Sequence, residues 1–147
     1  MLISHEVPKC LFENSIEFND YDYALVHLFD KDPEYLNFYK KCVKRGRHVL
    51  LDNSIFELGK AYDNESFAKW VEELKPTEYI VPDALEDLEK TVQQMEDWNR
   101  TYRKLPGKKI GVTTNLKERV EKQQGYYEGE YDVVLQTDDI NMISLYK

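Results

Sequence analysis

Hydrophobic positions along this chain follow two alternating periods. Short apolar runs lie at 23–28 (Tyr-Ala-Leu-Val-His-Leu), 49–51 and 79–81, and a mixed run at 109–113. Each is too short for a helix and is bounded by breakers or polar turn residues, so each predicts a strand. Residues 131–135 and the brief 2–4 (Leu-Ile-Ser) read the same way. Between them the spacing becomes helical. Leu11, Phe12, Ile16 and Phe18 form a weak stripe over 9–18, and Tyr35, Leu36, Phe38, Tyr39, Cys42 and Val43 form a fuller one. Phe67, Trp70, Val71 and Leu74 make a third, and Leu85, Leu88, Val92, Met95 and Trp98 a fourth. Asp32 before Pro33 is a helix start, with Gly46 as its stop. Asn64 is the expected cap of the third helix, and Pro76 its end. Residues 116–124 read as helical, and 138–147 fit no single pattern.

Strands alternating with helices through short connections imply right-handed crossovers and a parallel sheet. The expectation is an α/β fold of five or six parallel strands in one domain, 1–147, with a compositional seam at 104–109. A closed barrel of eight β/α units takes roughly 200 residues or more. At 147 residues, an open doubly wound sheet or a truncated, half-barrel form remains.

Charge narrows the partners. The net charge is −8, which disfavours a broad phosphate-binding face unless basic residues are segregated. Two groups are: Lys40, Lys41, Lys44, Arg45 and Arg47, and Arg100, Arg103, Lys104, Lys108 and Lys109. Both read as solvated turns at helix ends, where cations complement the helix dipole. Cys10 and Cys42 lack metal or redox spacing and read as reduced thiols of a cytoplasmic protein. His5, His27 and His48 show no ligand spacing, so neither metal nor cofactor is expected. No signal peptide is read at the N-terminus, and no apolar run reaches membrane-spanning length.

The chemistry gathers after the second apolar run. Val49-Leu-Leu is followed by Asp52-Asn53-Ser54, then Phe56, Glu57 and Gly59; Tyr79-Ile-Val is followed by Pro82-Asp83. Ligands of parallel α/β sheets sit at the C-terminal ends of strands, where both aspartates fall. Two neighbouring carboxylates can divide acid and base roles, because each disfavours ionisation of the other. Asp after a strand also serves as a turn former or helix cap, and both readings stay open. His27 faces the same edge, either as a satisfied core residue or as part of the site.

Four motifs occur in order: Ser4-His5-Glu6-Val7-Pro8, Asp22-Tyr-Ala-Leu-Val-His-Leu-Phe29, Leu51-Asp-Asn-Ser-Ile-Phe-Glu-Leu-Gly59 and Lys75-Pro-Thr-Glu-Tyr-Ile-Val-Pro-Asp83. Together they resemble the N-terminal half of the tRNA-guanine transglycosylase superfamily, over about residues 1–112, and most nearly its phage and bacterial branch acting on DNA. The resemblance implies a barrel ancestry and exchange of guanine for a 7-deazaguanine in DNA or tRNA. It implies that Asp52 transfers protons near the base and that Asp83 binds the base edge. Asn53, Ser54 and Phe56 match the neighbours of Asp52 in that motif. A purine offers N–H donors to carboxylates, its departure needs a proton, and a flipped base can stack on an aromatic ring. After Lys108-Lys-Ile-Gly-Val112 the family continues with Gln-Gly, whereas this chain has Thr113-Thr114-Asn115. The family's nucleophile and zinc cysteines have no assigned counterpart; the stretch at 131–136, which includes Asp132, bears only a faint likeness to the nucleophile strand. Residues 109–119 also resemble part of the GIY-YIG nucleases, which would make Arg119 catalytic with Tyr102 nearby. A non-enzymatic phage accessory protein is the remaining alternative.

Half of a barrel leaves edge strands with unpaired backbone groups and uncovered apolar surface. The expected outcome is a homodimer, the commonest closed assembly, or completion by another protein. Light scattering over a concentration series checks this: a mass that stays near 17.5 kDa, with a cooperative thermal transition, refutes assembly.

Overall fold

The computed structural model describes residues 2–85, 87–114 and 132–136, with backbone alone at 88, 112–114 and 132–136. The expectations for 116–124 and 138–147, and Arg119 with them, lie outside the described residues. A 3-10 turn, Lys9–Leu11, leads into α1, Phe12–Phe18, and then β1, Asp22–Leu25. There follow α2 (Val26–Phe29), α3 (Pro33–Lys44), β2 (Val49–Asp52), α4 (Ile55–Leu58), α5 (Asn64–Leu74), β3 (Glu78–Ile80), α6 (Leu88–Tyr102), β4 (Lys108–Thr114) and β5 (Asp132–Gln136).

The five strands of the described residues form one parallel sheet in sequential order, β1-β2-β3-β4-β5. A doubly wound sheet reverses its strand order part-way, and this sheet does not. Right-handed crossovers between sequential neighbours place successive helices on one face. The side chains divide accordingly. Ala24, Val49, Leu51, Tyr79 and Val81 join Tyr39, Phe67, Val71, Met95 and Trp98 in the main core. On the other face, Leu50, Ile80 and Ile110 form a smaller cluster with Tyr21 and Tyr23.

Helix starts follow side-chain chemistry. Asp32 accepts from the Glu34 and Tyr35 amides (3.1 and 3.2 Å) ahead of Pro33. The cap of α5 is Asp63 rather than Asn64, accepting from Ser66 N at 2.9 Å. Asp87 caps α6 through Lys90 N. Gly107 turns the chain into β4 at φ +98°, where a Cβ would lie 2.8 Å from the Pro76 carbonyl oxygen.

Three expected boundaries differ. Residues 2–4 form no strand: Ile3 is tied to Asp20 by a backbone pair, Asp20 N to Ile3 O, and by Ile3 N to the Asp20 carboxylate, so the sheet has five strands among the described residues. The run 23–28 changes from strand to helix at Val26, because an apolar run alone does not distinguish the two; Val26 and Phe29 are buried at helical spacing. Leu85 precedes α6 and is exposed, because the turn after Asp83 delays the helix to Leu88.

The free edge of β1 is closed by two tyrosines. Leu25 N donates to the Tyr35 hydroxyl (2.8 Å), and the Tyr39 hydroxyl donates to Tyr23 O (2.6 Å). The two rings lie against each other with centroids 4.7 Å apart. These outward strand groups are therefore satisfied, and β1 is not the bare template expected of a half barrel.

Arg47 anchors the start of the same strand. Its Nε and Nη2 donate to the two Asp22 carboxylate oxygens (2.6 and 3.1 Å), and Nη2 also reaches Asn19 O. Asp22 is 2% exposed. Removing one partner of such a pair leaves a buried charge uncompensated, so Arg47→Met is expected to cost about 3 kcal/mol in urea unfolding. A loss below about 1 kcal/mol, the range of exposed pairs, would contradict this account of β1.

Candidate functional site

β2 and β3 lie side by side and run parallel, so Asp52, which ends β2, and Asp83, just beyond β3, emerge at the same edge of the sheet. Between them stands Asn53, 1% exposed. Its Nδ2 donates to Val81 O (3.0 Å) and to Asp83 Oδ1 (2.7 Å), and its Oδ1 accepts from Ile55 N (3.0 Å). Ser54 follows at φ +59°, a left-handed conformation uncommon for a residue with a side chain. Two bonds hold it: Ser54 N donates to Asp52 Oδ2 (2.7 Å), and Ser54 Oγ accepts from His27 N (3.3 Å). Strained backbone persists where its surroundings over-determine it, and such positions cluster at functional sites.

Asn53 and Ser54, expected to touch a ligand, thus have their polar atoms engaged within the protein. They position the aspartates and the α2 turn. Phe56 is the opposite case: it stands on α4 with 57% of its surface exposed. His27 lies on α2, half-buried, with Nδ1 lacking a hydrogen-bond partner.

Three residues to which the sequence assigned no role complete the arrangement. The Tyr23 hydroxyl stands beside the Asp52 carboxylate across the β1–β2 boundary and favours its charged form. Burial and the nearby carboxylates push the Tyr23 pKa far up, so it remains a donor. Glu57 and Glu6 lie close enough for their charges to be felt. Tyr23 belongs to a strand and Glu6 to an irregular segment, so no spacing rule links them to Asp52.

Burial raises Asp52 from the ordinary carboxylate value to about 6, with the charges of Glu57 and Asp83 adding to it; the Ser54 amide and the Tyr23 hydroxyl act the other way. Burial also raises Asp83, against the stabilising bond from Asn53, and raises Glu6, with Glu57 adding. A carboxyl that changes protonation near pH 6 suits proton transfer close to neutrality.

Beside Asp83 is a pocket of about 260 Å³, bounded by Ile55, Gly59 and Lys60 after β2 and by Ala84, Leu85 and Lys90 after β3. This is below the ~300–1,000 Å³ of drug-sized sites and fits a smaller ligand. Asp52 is not in its wall; its carboxylate turns toward Tyr23. Among the described residues, no group of three or more His, Cys, Asp or Glu is arranged to hold a metal ion, and no helix is long and apolar enough to cross a membrane. Tyr102 packs against Trp98 with ring centroids 4.5 Å apart, at the margin of the core. Comparison with protein-family models, curated proteins and solved structures gives no match.

The raised Asp52 pKa has a stability consequence. A carboxyl whose folded pKa lies above its unfolded value carries no penalty at low pH and a full penalty above the folded pKa. Stability is therefore expected to fall as pH rises from about 4 to about 6, with Asp83 and Glu6 contributing in the same direction. Asp52→Asn removes one titration and should flatten the profile, gaining about 1–3 kcal/mol over the native chain above pH 6. Urea midpoints measured across this range check it; equal slopes in both proteins would remove Asp52 as the cause.

Proposed function

We propose that the C-terminal edge of the sheet binds a guanine-like base, guanine or a 7-deazaguanine, and that the fold is half of a barrel of the transglycosylase kind. The observation that carries the reading is the pairing of two raised carboxyls, Asp52 and Asp83, across one buried amide, Asn53. Asp83, at the pocket wall, accepts N–H groups of the base edge. Asp52, held by Ser54 beside Tyr23, exchanges a proton with the base as it leaves or arrives. Phe56, exposed beside the edge, offers a stacking surface. Sequential strand order supports the half-barrel reading, since barrels are wound in one sense. Exchange of the base in DNA or tRNA also needs a nucleophile, which this reading leaves unassigned, so base binding is the activity proposed.

Asp83→Asn tests it. The amide keeps an acceptor for Asn53 but loses the charge and one acceptor for the base. Charge-assisted hydrogen bonds are worth about 1.5–3 kcal/mol, so base affinity should fall about tenfold or more with the thermal transition retained. Calorimetry with guanine and with a 7-deazaguanine reads the effect. No heat of binding from the native chain would refute the proposal, and so would equal affinity in the variant.

A further inference from the structure

On the outer side of the helical layer, α1 and α3 enclose a groove of about 820 Å³. One stripe of α3 faces it, Glu34, Asn37, Phe38, Lys41 and Arg45, at the three- and four-residue spacing of a single helix face. Another stripe, Tyr35, Tyr39 and Cys42, packs into the core. α3 therefore works on two sides. At the groove, Phe38 stacks on Phe12 of α1 with centroids 4.3 Å apart and planes within 10°, which fixes the distance between the two helices.

The basic group at 40–47 is divided by the fold. Lys40 pairs with Glu73 of α5, and Arg47 pairs with Asp22. Lys41 and Arg45 remain, exposed, in the groove wall, and neither side chain has a hydrogen-bond or ion-pair partner among the described residues. Two carboxylates share this wall, Glu13 and Glu34, and Glu34 is already met by Lys9 at 3.6 Å. Lys9 also lines the wall but is paired with Asp32 at 2.8 Å, so the cations left open to a ligand are Lys41 and Arg45, in a chain of net charge −8. The side-chain amides of Asn14 and Asn37, which have no hydrogen-bond partner among the described residues, add N–H donors. Like charges four residues apart repel. The helix dipole offsets some of that repulsion, but it does not require both cations on the stripe that faces the cavity.

We propose that this groove is an anion site for a phosphate-bearing ligand, with Lys41 and Arg45 as its cations and Asn14 and Asn37 as neutral donors. The assignment is independent of base binding at the sheet edge. Phosphate suits the donor set because Arg offers a fork to two oxygens and Lys a point charge. A phosphate monoester and a nucleic-acid phosphodiester share this chemistry.

Isotope-labelled protein titrated with inorganic phosphate, and separately with a short single-stranded oligodeoxynucleotide, distinguishes the sources by amide chemical shifts. Saturable shifts on α1 and the second half of α3 are expected, weakening with added salt. Binding of both ligands supports a general phosphate site, and binding of the oligonucleotide alone assigns it to a diester. Lys41→Gln or Arg45→Gln should weaken binding about tenfold, without loss of fold since both are exposed. Lys44→Gln, on the same helix but outside the groove wall, should leave it unchanged. No saturable shift from either ligand overturns the proposal, as does equal weakening by Lys44→Gln.

Discussion

The side-chain amide of Asn53 joins the ends of two strands, and the geometry of the sheet edge depends on that link. Its two N–H groups hold the Val81 carbonyl and the Asp83 carboxylate, while its oxygen starts α4 through Ile55. In a buried position each of these groups must be satisfied, because an unpaired polar group there costs about 1–3 kcal/mol. The amide therefore fixes where Asp83 stands relative to β2. The left-handed turn at Ser54 has the same logic. It is held from both sides, by Asp52 and by the His27 amide, so three consecutive strands contribute to one rigid edge.

That rigidity explains the electrostatics. Asp52 receives the Ser54 amide and stands beside the Tyr23 hydroxyl, and burial raises its pKa even though both neighbours favour its charged form. Desolvation is the larger effect here. A protonatable carboxyl beside a permanently protonated phenol is a different chemical object from a solvated turn aspartate, although the residue type is the same.

The opposite boundary of the sheet is governed by hydroxyls. Tyr35 and Tyr39 come from the buried stripe of α3 and reach the outward groups of β1. One helix thus packs the core and protects an edge strand, a usual defence against unwanted strand pairing. The same helix turns its remaining polar stripe to the α1 groove. The surface of α3 is divided among three tasks, which accounts for a sequence that carries both aromatic and basic residues at close spacing.

What the sequence determined by itself is the local pattern. The alternation of apolar runs and helical stripes specified parallel α/β architecture, and Asp32, Pro33 and Gly46 marked α3, because period and capping depend on residues a few positions apart. Asp52 and Asp83 were legible as ends of neighbouring strands for the same reason. What only the tertiary structure decided is which groups meet. Asn53 and Asp83 are 30 residues apart, and Tyr23 and Tyr39 are 16. The roles of Asn53 and Ser54 as struts and the closeness of Tyr23 to Asp52 rest on such distant partners. A hydrogen bond is set by where the sheet register brings two atoms, and no local period carries that information.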